Sequence, residues 1–120
     1  MNKADNGFEK FHRLLSASDF GYLKKNAKYF NTKWLRVYFK KSKLNSVNSR
    51  IGITVTKKVG KAHDRNKCKR LIREFYRCSD YKETGIDYLI LVSPRLFKTS
   101  PDPLRDLQSS LEFSFSKINL

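Results

Sequence analysis

The sequence predicts an α+β fold, a two-layer α/β sandwich in the order helix, strands, helix, strand, helix. Three observations predict it. Residues 34–40 and 50–56 alternate apolar and polar side chains with the period of a strand. Residues 57–77 and the stretch after Pro103 space their apolar side chains at threes and fours, the period of a helix. Residues 86–93 (IDYLILVS) are apolar at nearly every position, as befits a central strand covered on at least one side.

Taken in order, residues 1–10 are polar and predict a flexible N-terminal segment, which leaves 11–120 as one domain. Ser16 followed by Asp19 reads as a helix start, with Phe20 and Leu23 sharing a face of a short helix over about 17–25. Residues 26–31 form a turn or a short edge strand. In the first clear strand Leu35, Val37 and Phe39 point one way and Trp34, Arg36 and Tyr38 the other. A polar loop over 41–49 leads to the second strand, where Ile51, Ile53 and Val55 alternate with Gly52, Thr54 and Thr56. The two strands read as an antiparallel pair whose apolar face needs a cover, and the helix that follows Gly60, over 62–78, is one candidate. After a turn at 82–85 and the strand at 86–93, Asp102 is placed as an N-cap with Pro103 as first helical residue. Leu104, Leu107, Leu111, Phe115 and Ile118 give the stripe of a closing helix.

The charge points to a partner. The chain carries a net +15 over 120 residues, a self-repulsion that a polyanion would relieve. Residues 57–77 alone hold nine Lys/Arg against Asp64 and Glu74, a net +7. At 100° per residue, Arg65, Asn66, Lys69, Arg70, Arg73 and Arg77 fall within roughly 140° of arc. Cys68, Leu71, Ile72, Phe75 and Cys78 occupy about 120° on the opposite side. A solvated helix face normally mixes signs, and this one does not. A row of cations over an apolar back is suited to phosphates. No run is long enough for a transmembrane helix, and the N-terminus lacks a signal peptide's apolar stretch. Of the two polyanions, nucleic acid and a membrane surface, this favours nucleic acid and a cytoplasmic location.

Catalytic groups are harder to find. No Ser/His/acid or Cys/His set stands out, both Gly-rich phosphate-loop patterns are missing, and the acids are too scattered for a two-metal nuclease site. On one helix, Cys68 and Cys78 lie about 15 Å apart, beyond disulfide reach. His12 and His63 make no zinc spacing with them. The expectation is a binder with no catalytic residue and no metal of its own. A second binding surface is the polar side of the first strands, where Trp34, Arg36 and Tyr38 stand in a row with Thr54, Thr56 and Lys57 beside them. Aromatic rings interleaved with cations suit single-stranded nucleic acid. The same spacing fits equally a second core in which Trp34 and Tyr38 pack under the helices.

The string Val59-Gly60-Lys61-Ala62 followed by Arg65-Asn66-Lys67-Cys68-Lys69-Arg70-Leu71-Ile72-Arg73 closely resembles the signature of the bacterial ribonuclease P protein component. Arg50 to Lys58 (RIGITVTKK) resembles the strand that precedes this helix in the family, and Arg13-Leu14 with Asp19-Phe20 resembles its N-terminal segment. The likeness spans roughly residues 11–117. It implies a sandwich with a left-handed βαβ crossover around the basic helix, similar to a domain of ribosomal proteins and translational GTPases. It further implies a monomeric protein subunit of a ribonucleoprotein that removes the 5′ leader from precursor tRNA, with catalysis in the RNA subunit and Mg²⁺ required by the holoenzyme. Lys57, Lys58, Lys61, Arg65, Asn66, Lys67, Lys69, Arg70 and Arg73 would contact that RNA, and a cleft using Phe20, Arg36, Tyr38 and Thr54 would take the leader. On that resemblance Tyr38 belongs to an exposed aromatic face.

Three positions depart from the family pattern. Cys68 stands where a larger aliphatic residue is usual, and Lys24 where a second aromatic after Phe20 is expected. Lys67 replaces the commoner Arg, keeping the charge and losing the bidentate fork. Two other readings are a generic, ribosome-associated RNA-binding module with no role in tRNA processing, and a stand-alone nuclease, which the lack of an acid cluster disfavours.

Overall fold

The computed structural model describes residues 17–41, 49–79 and 85–118, with the side chains of 17–20 and Asn26 outside that set. The proposed N-cap Ser16, the segment 1–10 and most of the loops at 41–49 and 82–85 therefore lie outside the described residues. The elements run α1 (Ala17–Asn26), β1 (Lys28–Asn31), β2 (Leu35–Lys41), β3 (Arg50–Thr54), α2 (Ala62–Arg77), β4 (Ile86–Val92), α3 (Leu96–Thr99) and α4 (Pro103–Lys117). A 3₁₀ turn over Lys57–Val59 leads into α2, held down by the buried Val59. Of the two readings for residues 26–31, the edge strand is the one that forms.

The four strands make one sheet in the order β1-β2-β4-β3. Here the antiparallel pairing expected between the second and third strands is overturned. β4 lies between them, antiparallel to β2 (Val37 opposite Ile90) and parallel to β3 (Ile51 opposite Tyr88). The reason is in β4 itself, whose residues 87–90 are all buried. A strand apolar on both faces gains most when it is paired on both edges and covered above and below. β2 and β3 each have one apolar face, so they flank it. α2 is then the connection of a parallel βαβ unit.

Side chains of alternate parity divide the sheet into two surfaces. Leu35, Val37, Ile51, Tyr88, Ile90 and Val92 face α2 and α4 and build the main core with Ile72, Leu107, Leu111 and Phe115. The aromatic contacts in it are specific: Phe115 meets Tyr88 at 5.1 Å and Phe75 at 5.3 Å between ring centroids. On the opposite surface Leu23 of α1 packs on Leu89, flanked by Tyr22, Ala27, Tyr38 and Leu91. α1 thus covers part of this face, and among the described residues nothing covers the rest.

One further expectation changes, and two details are added. Trp34 precedes β2 in the turn after β1, where Leu35 N–H donates to Thr32 Oγ1 at 3.2 Å, so it escapes the strand's alternation. Trp34 is 8% exposed and belongs to the main core. Asp102 takes the N-cap position, with Pro103 next, but its side chain makes no capping bond. Ser100 serves that turn instead, its Oγ accepting from Asp102 N–H at 3.1 Å and donating to the Asp106 carboxylate. α3 was not anticipated, being a single turn whose one buried residue is Leu96.

The α1 side of the sheet also carries a buried ion pair. Arg50 of β3 reaches Asp87 of β4 through two hydrogen bonds, Nη2 to Oδ2 at 2.8 Å and Nε to Oδ1 at 3.1 Å. Asp87 is fully buried, so removing its partner strands a charge in the sheet. Arg50→Ala should cost about 3–5 kcal/mol of stability, read from chemical denaturation. The apolar double variant Arg50→Met, Asp87→Leu should recover most of that loss, and a double variant as unstable as the single one would contradict the account.

Candidate nucleic-acid interface

Helix α2 is fixed by its buried residues Cys68, Ile72 and Tyr76, spaced at four, with Leu71 and Phe75 half-buried beside them. Tyr76 fills the place expected for Cys78. The helix ends before Cys78 can face the core, and that residue becomes an exposed C-cap with its thiol 3.3 Å from the Glu74 carboxylate. Burial, with the nearby Asp64 charge added to it, pushes the Cys68 thiol up to about 11. Burial, with the neighbouring Tyr88 added to it, also raises the Tyr76 hydroxyl well above the usual phenol range. The stem of the helix is therefore dry, and its orientation on the sheet is set.

That orientation turns Asn66, Lys67, Arg70 and Arg73 fully outward, with Lys61 just ahead of the helix. Arg65 and Lys69 lie at the border of the buried sector and are half-exposed. Arg65 bends back so that its Nε donates to the Gly60 carbonyl at 3.2 Å, bracing the turn that enters the helix. Its terminal nitrogens make no hydrogen bond among the described residues. Arg77, expected in the same row, pairs with Glu74. That bond and one from Cys78 hold the Glu74 carboxyl below the usual carboxylate range. Lys57 and Lys58 are exposed on the 3₁₀ turn and extend the row toward the sheet. One surface thus gathers Lys57, Lys58, Lys61, Asn66, Lys67, Arg70 and Arg73, with Arg65 and Lys69 at its margin.

The second surface is the open part of the sheet. A cleft of about 440 Å³ is bounded by Asn31, Arg36, Thr54, Thr56 and Leu91 among others. Two of the expected residues, Arg36 and Thr54, therefore meet there. Their placement follows from register, since Arg36 and Thr54 both stand opposite Leu91. Tyr38 is one pair along, half-buried against the Leu23 cluster, so it is less displayed than the resemblance implied. Its hydroxyl accepts from Arg36 Nη1 at 3.2 Å. Phe20 falls on α1, with its side chain outside the described residues. Lys24 is exposed. The residue that sequence reasoning missed is Tyr29, paired with Tyr38 across the β1–β2 ladder and 54% exposed. The signal was present as the i, i+2 pair Tyr29 and Asn31, but a four-residue strand is too short to show alternation.

Two cationic surfaces, one helical and one aromatic, joined through Thr56 and the Lys57–Val59 turn, are the features that known proteins can be compared on. The family model for Ribonuclease P matches residues 8–118. The chain belongs to the ribonuclease P protein family. The ribonuclease P protein component of Legionella pneumophila (strain Lens) is 38% identical over 92 residues, covering 76% of this chain and 77% of that protein. That of Clostridioides difficile (strain 630) is 36% identical over 105 residues, covering 88% and 90%. Among solved structures, a Staphylococcus aureus RNase P protein, a mutant with defective mRNA degradation activity, superposes with a TM-score of 0.81 at 27% identity, covering 97% of this chain and 96% of that one. The ribonuclease P fold therefore accommodates the two of the three departures seen here that could affect packing, a thiol at Cys68 and a cation at Lys24. Among the described residues no helix is long and apolar enough to cross a membrane.

The dry stem of α2 has a pH signature. The Cys68 thiol rises from an ordinary value of 9.0 to about 11 on folding, so the folded state holds its proton longer. Its contribution to stability is complete below pH 9 and is lost as pH rises through about 11. Denaturation midpoints taken from pH 8 to pH 11 should fall, and Cys68→Ala should flatten part of that fall. At pH 8 a thiol reagent should label the exposed Cys78 and reach Cys68 on unfolding alone.

Proposed function

We propose that this chain is the protein subunit of ribonuclease P, binding the catalytic RNA through α2 and the precursor-tRNA 5′ leader along the open sheet face. The observation that carries the reading is the sign purity of the outward side of α2. Lys61, Lys67, Arg70 and Arg73 are exposed there, while the acids of the helix are a half-buried Asp64 and a Glu74 committed to Arg77. An RNA helix or junction offers phosphates at spacings such a row can follow, and each neutralised phosphate releases counterions. The cleft offers the complementary chemistry, polar strand positions beside tyrosines, which suits unpaired nucleotides. The two are continuous in the chain, so a substrate strand in the cleft would lie next to the RNA that cuts it.

In this reading the protein contributes no catalytic residue. The ions the holoenzyme requires are assigned to the RNA. The protein's work is to hold two RNAs in register and to lower their mutual repulsion, acting in the cytoplasm as a monomer outside its ribonucleoprotein.

Reconstitution tests this directly. Added to a bacterial ribonuclease P RNA at low Mg²⁺, the protein should stimulate removal of the leader from precursor tRNA, and by itself it should cut nothing. Binding of RNA without stimulation would favour a generic RNA-binding module, and cleavage without the RNA a nuclease. Within the complex, Lys61→Ala, Lys67→Ala and Arg70→Ala combined should weaken binding to the catalytic RNA by about 1 kcal/mol or more each at low salt and reduce the salt slope by about one per contact. All three are exposed, so the variant should unfold at the wild-type midpoint.

A further inference from the structure

The edge of the sheet carries an arrangement that the cleft does not account for. Tyr29 is one of two large hydrophobic side chains left most exposed among the described residues. Its ring is nevertheless held from two sides. The Arg36 guanidinium carbon lies 4.7 Å from the Tyr29 centroid, and the Tyr38 ring stands 5.7 Å away at 53°. Arg36 is itself fixed, its Nε donating to Asn31 Oδ1 at 2.8 Å and its Nη1 to the Tyr38 hydroxyl at 3.2 Å. Among the described residues Nη2 of Arg36 has no partner. A guanidinium oriented by two bonds and stacked on a ring, with donors to spare, is prepared for a further anion or base edge.

We propose that Tyr29 and Arg36 form an additional nucleotide subsite on the β1 edge, taking one single-stranded RNA nucleotide next to the one received at Tyr38. The inference rests on the leader-binding reading of the cleft and extends it outward by one strand. Tyr29 and Tyr38 are direct cross-strand partners, so their rings sit side by side along the path of an extended strand. The free side of the Tyr29 ring accepts the base, and Arg36 Nη2 donates to the phosphate. Electrostatics favour this edge: on the face of Tyr29, β2 brings Arg36 and Lys40 and neither strand brings an acid, while Asp87, which shares the face, is neutralised by Arg50. A protein partner on β1 would use the same exposed ring, but it would make little use of a fixed guanidinium over a cationic surround.

Precursor tRNAs with leaders shortened one nucleotide at a time discriminate the possibilities, with dissociation constants measured for the holoenzyme reconstituted on a bacterial ribonuclease P RNA. The expected result is one step in affinity, at a single leader length, that Tyr29→Ala removes with a loss of about tenfold. Tyr29→Phe should keep the step, since stacking needs the ring and not the hydroxyl, and Arg36→Gln should lower the salt slope by about one. If every step survives in Tyr29→Ala while Tyr38→Ala still weakens leader binding, the subsite is wrong and the cleft stands. If neither variant changes the dependence on leader length, the leader-binding reading fails and the subsite with it. A Phe variant that behaves like Ala would overturn stacking as the mode of recognition. Tyr29 is exposed, so circular dichroism and the thermal midpoint of the Ala variant should match wild type.

Discussion

Strand β4 is hydrogen-bonded on both edges and shielded on both faces, and each binding surface is placed by its relation to that strand. Because β4 separates β2 from β3, the polar positions of the two outer strands are brought to the same face at a fixed interval, Arg36 and Thr54 each across from Leu91. Because β3 runs parallel to β4, the chain must cross over between them, and the crossing element is the basic helix. The apolar back of α2 is what fills the space above Tyr88 and Ile90, so its cationic side has nowhere to point but out. An antiparallel pairing of β2 and β3 would have left a different face for the helix and separated Arg36 from Leu91.

The buried Arg50–Asp87 pair makes sense in this frame. Two charges withdrawn from water contribute little net stability, since desolvation offsets most of their attraction. What the pair does impose is register: Arg50 is opposite Asp87 in the parallel ladder, and a slip of β3 by one residue would turn Arg50 toward the main core and leave Asp87 without it. It also removes the single acid of that strand from the electrostatics of the open face. Polyanion binding on that face then meets cations alone among the described side chains of β1 to β3.

Legibility from sequence followed the length and purity of the local signal. The helix at 62–77 could be read with its two sides because sixteen residues give four turns of pattern; Asn66, Arg70 and Arg73 face outward as expected, while Arg65 and Lys69 sit at the margin and Arg77 is claimed by its neighbour Glu74. The strand at 86–92 was legible from its run of apolar residues, but its partners were not, since pairing is decided by which edges and faces remain uncovered in three dimensions. Trp34 misled because one residue of turn before a strand continues the alternation by accident. Tyr29 was invisible because its strand is four residues long, and its role depends on Arg36 and Tyr38 reaching it across the ladder. The family resemblance supplied the partner that spacing could not, because phosphate chemistry is common to every polyanion.

The two surfaces ask for different physics, and the chain separates them accordingly. α2 presents exposed Lys and Arg side chains along one helix, which suits strong attraction with little geometric demand and a steep dependence on salt. The sheet face presents few charges, held by hydrogen bonds and rings, where the Arg36 fork is fixed before any ligand arrives. A loosely specified anchor beside a pre-ordered reader is the arrangement expected when one RNA must stay bound and the other must be exchanged. The anchor's free energy accumulates over many contacts and changes little with any one of them, whereas the reader depends on a few rings and a single guanidinium. On the proposed reading, sequence drift along α2 that preserves charge, such as Lys67 for Arg, costs little, while changes at Tyr29, Arg36 or Tyr38 would alter which single strands the sheet can hold.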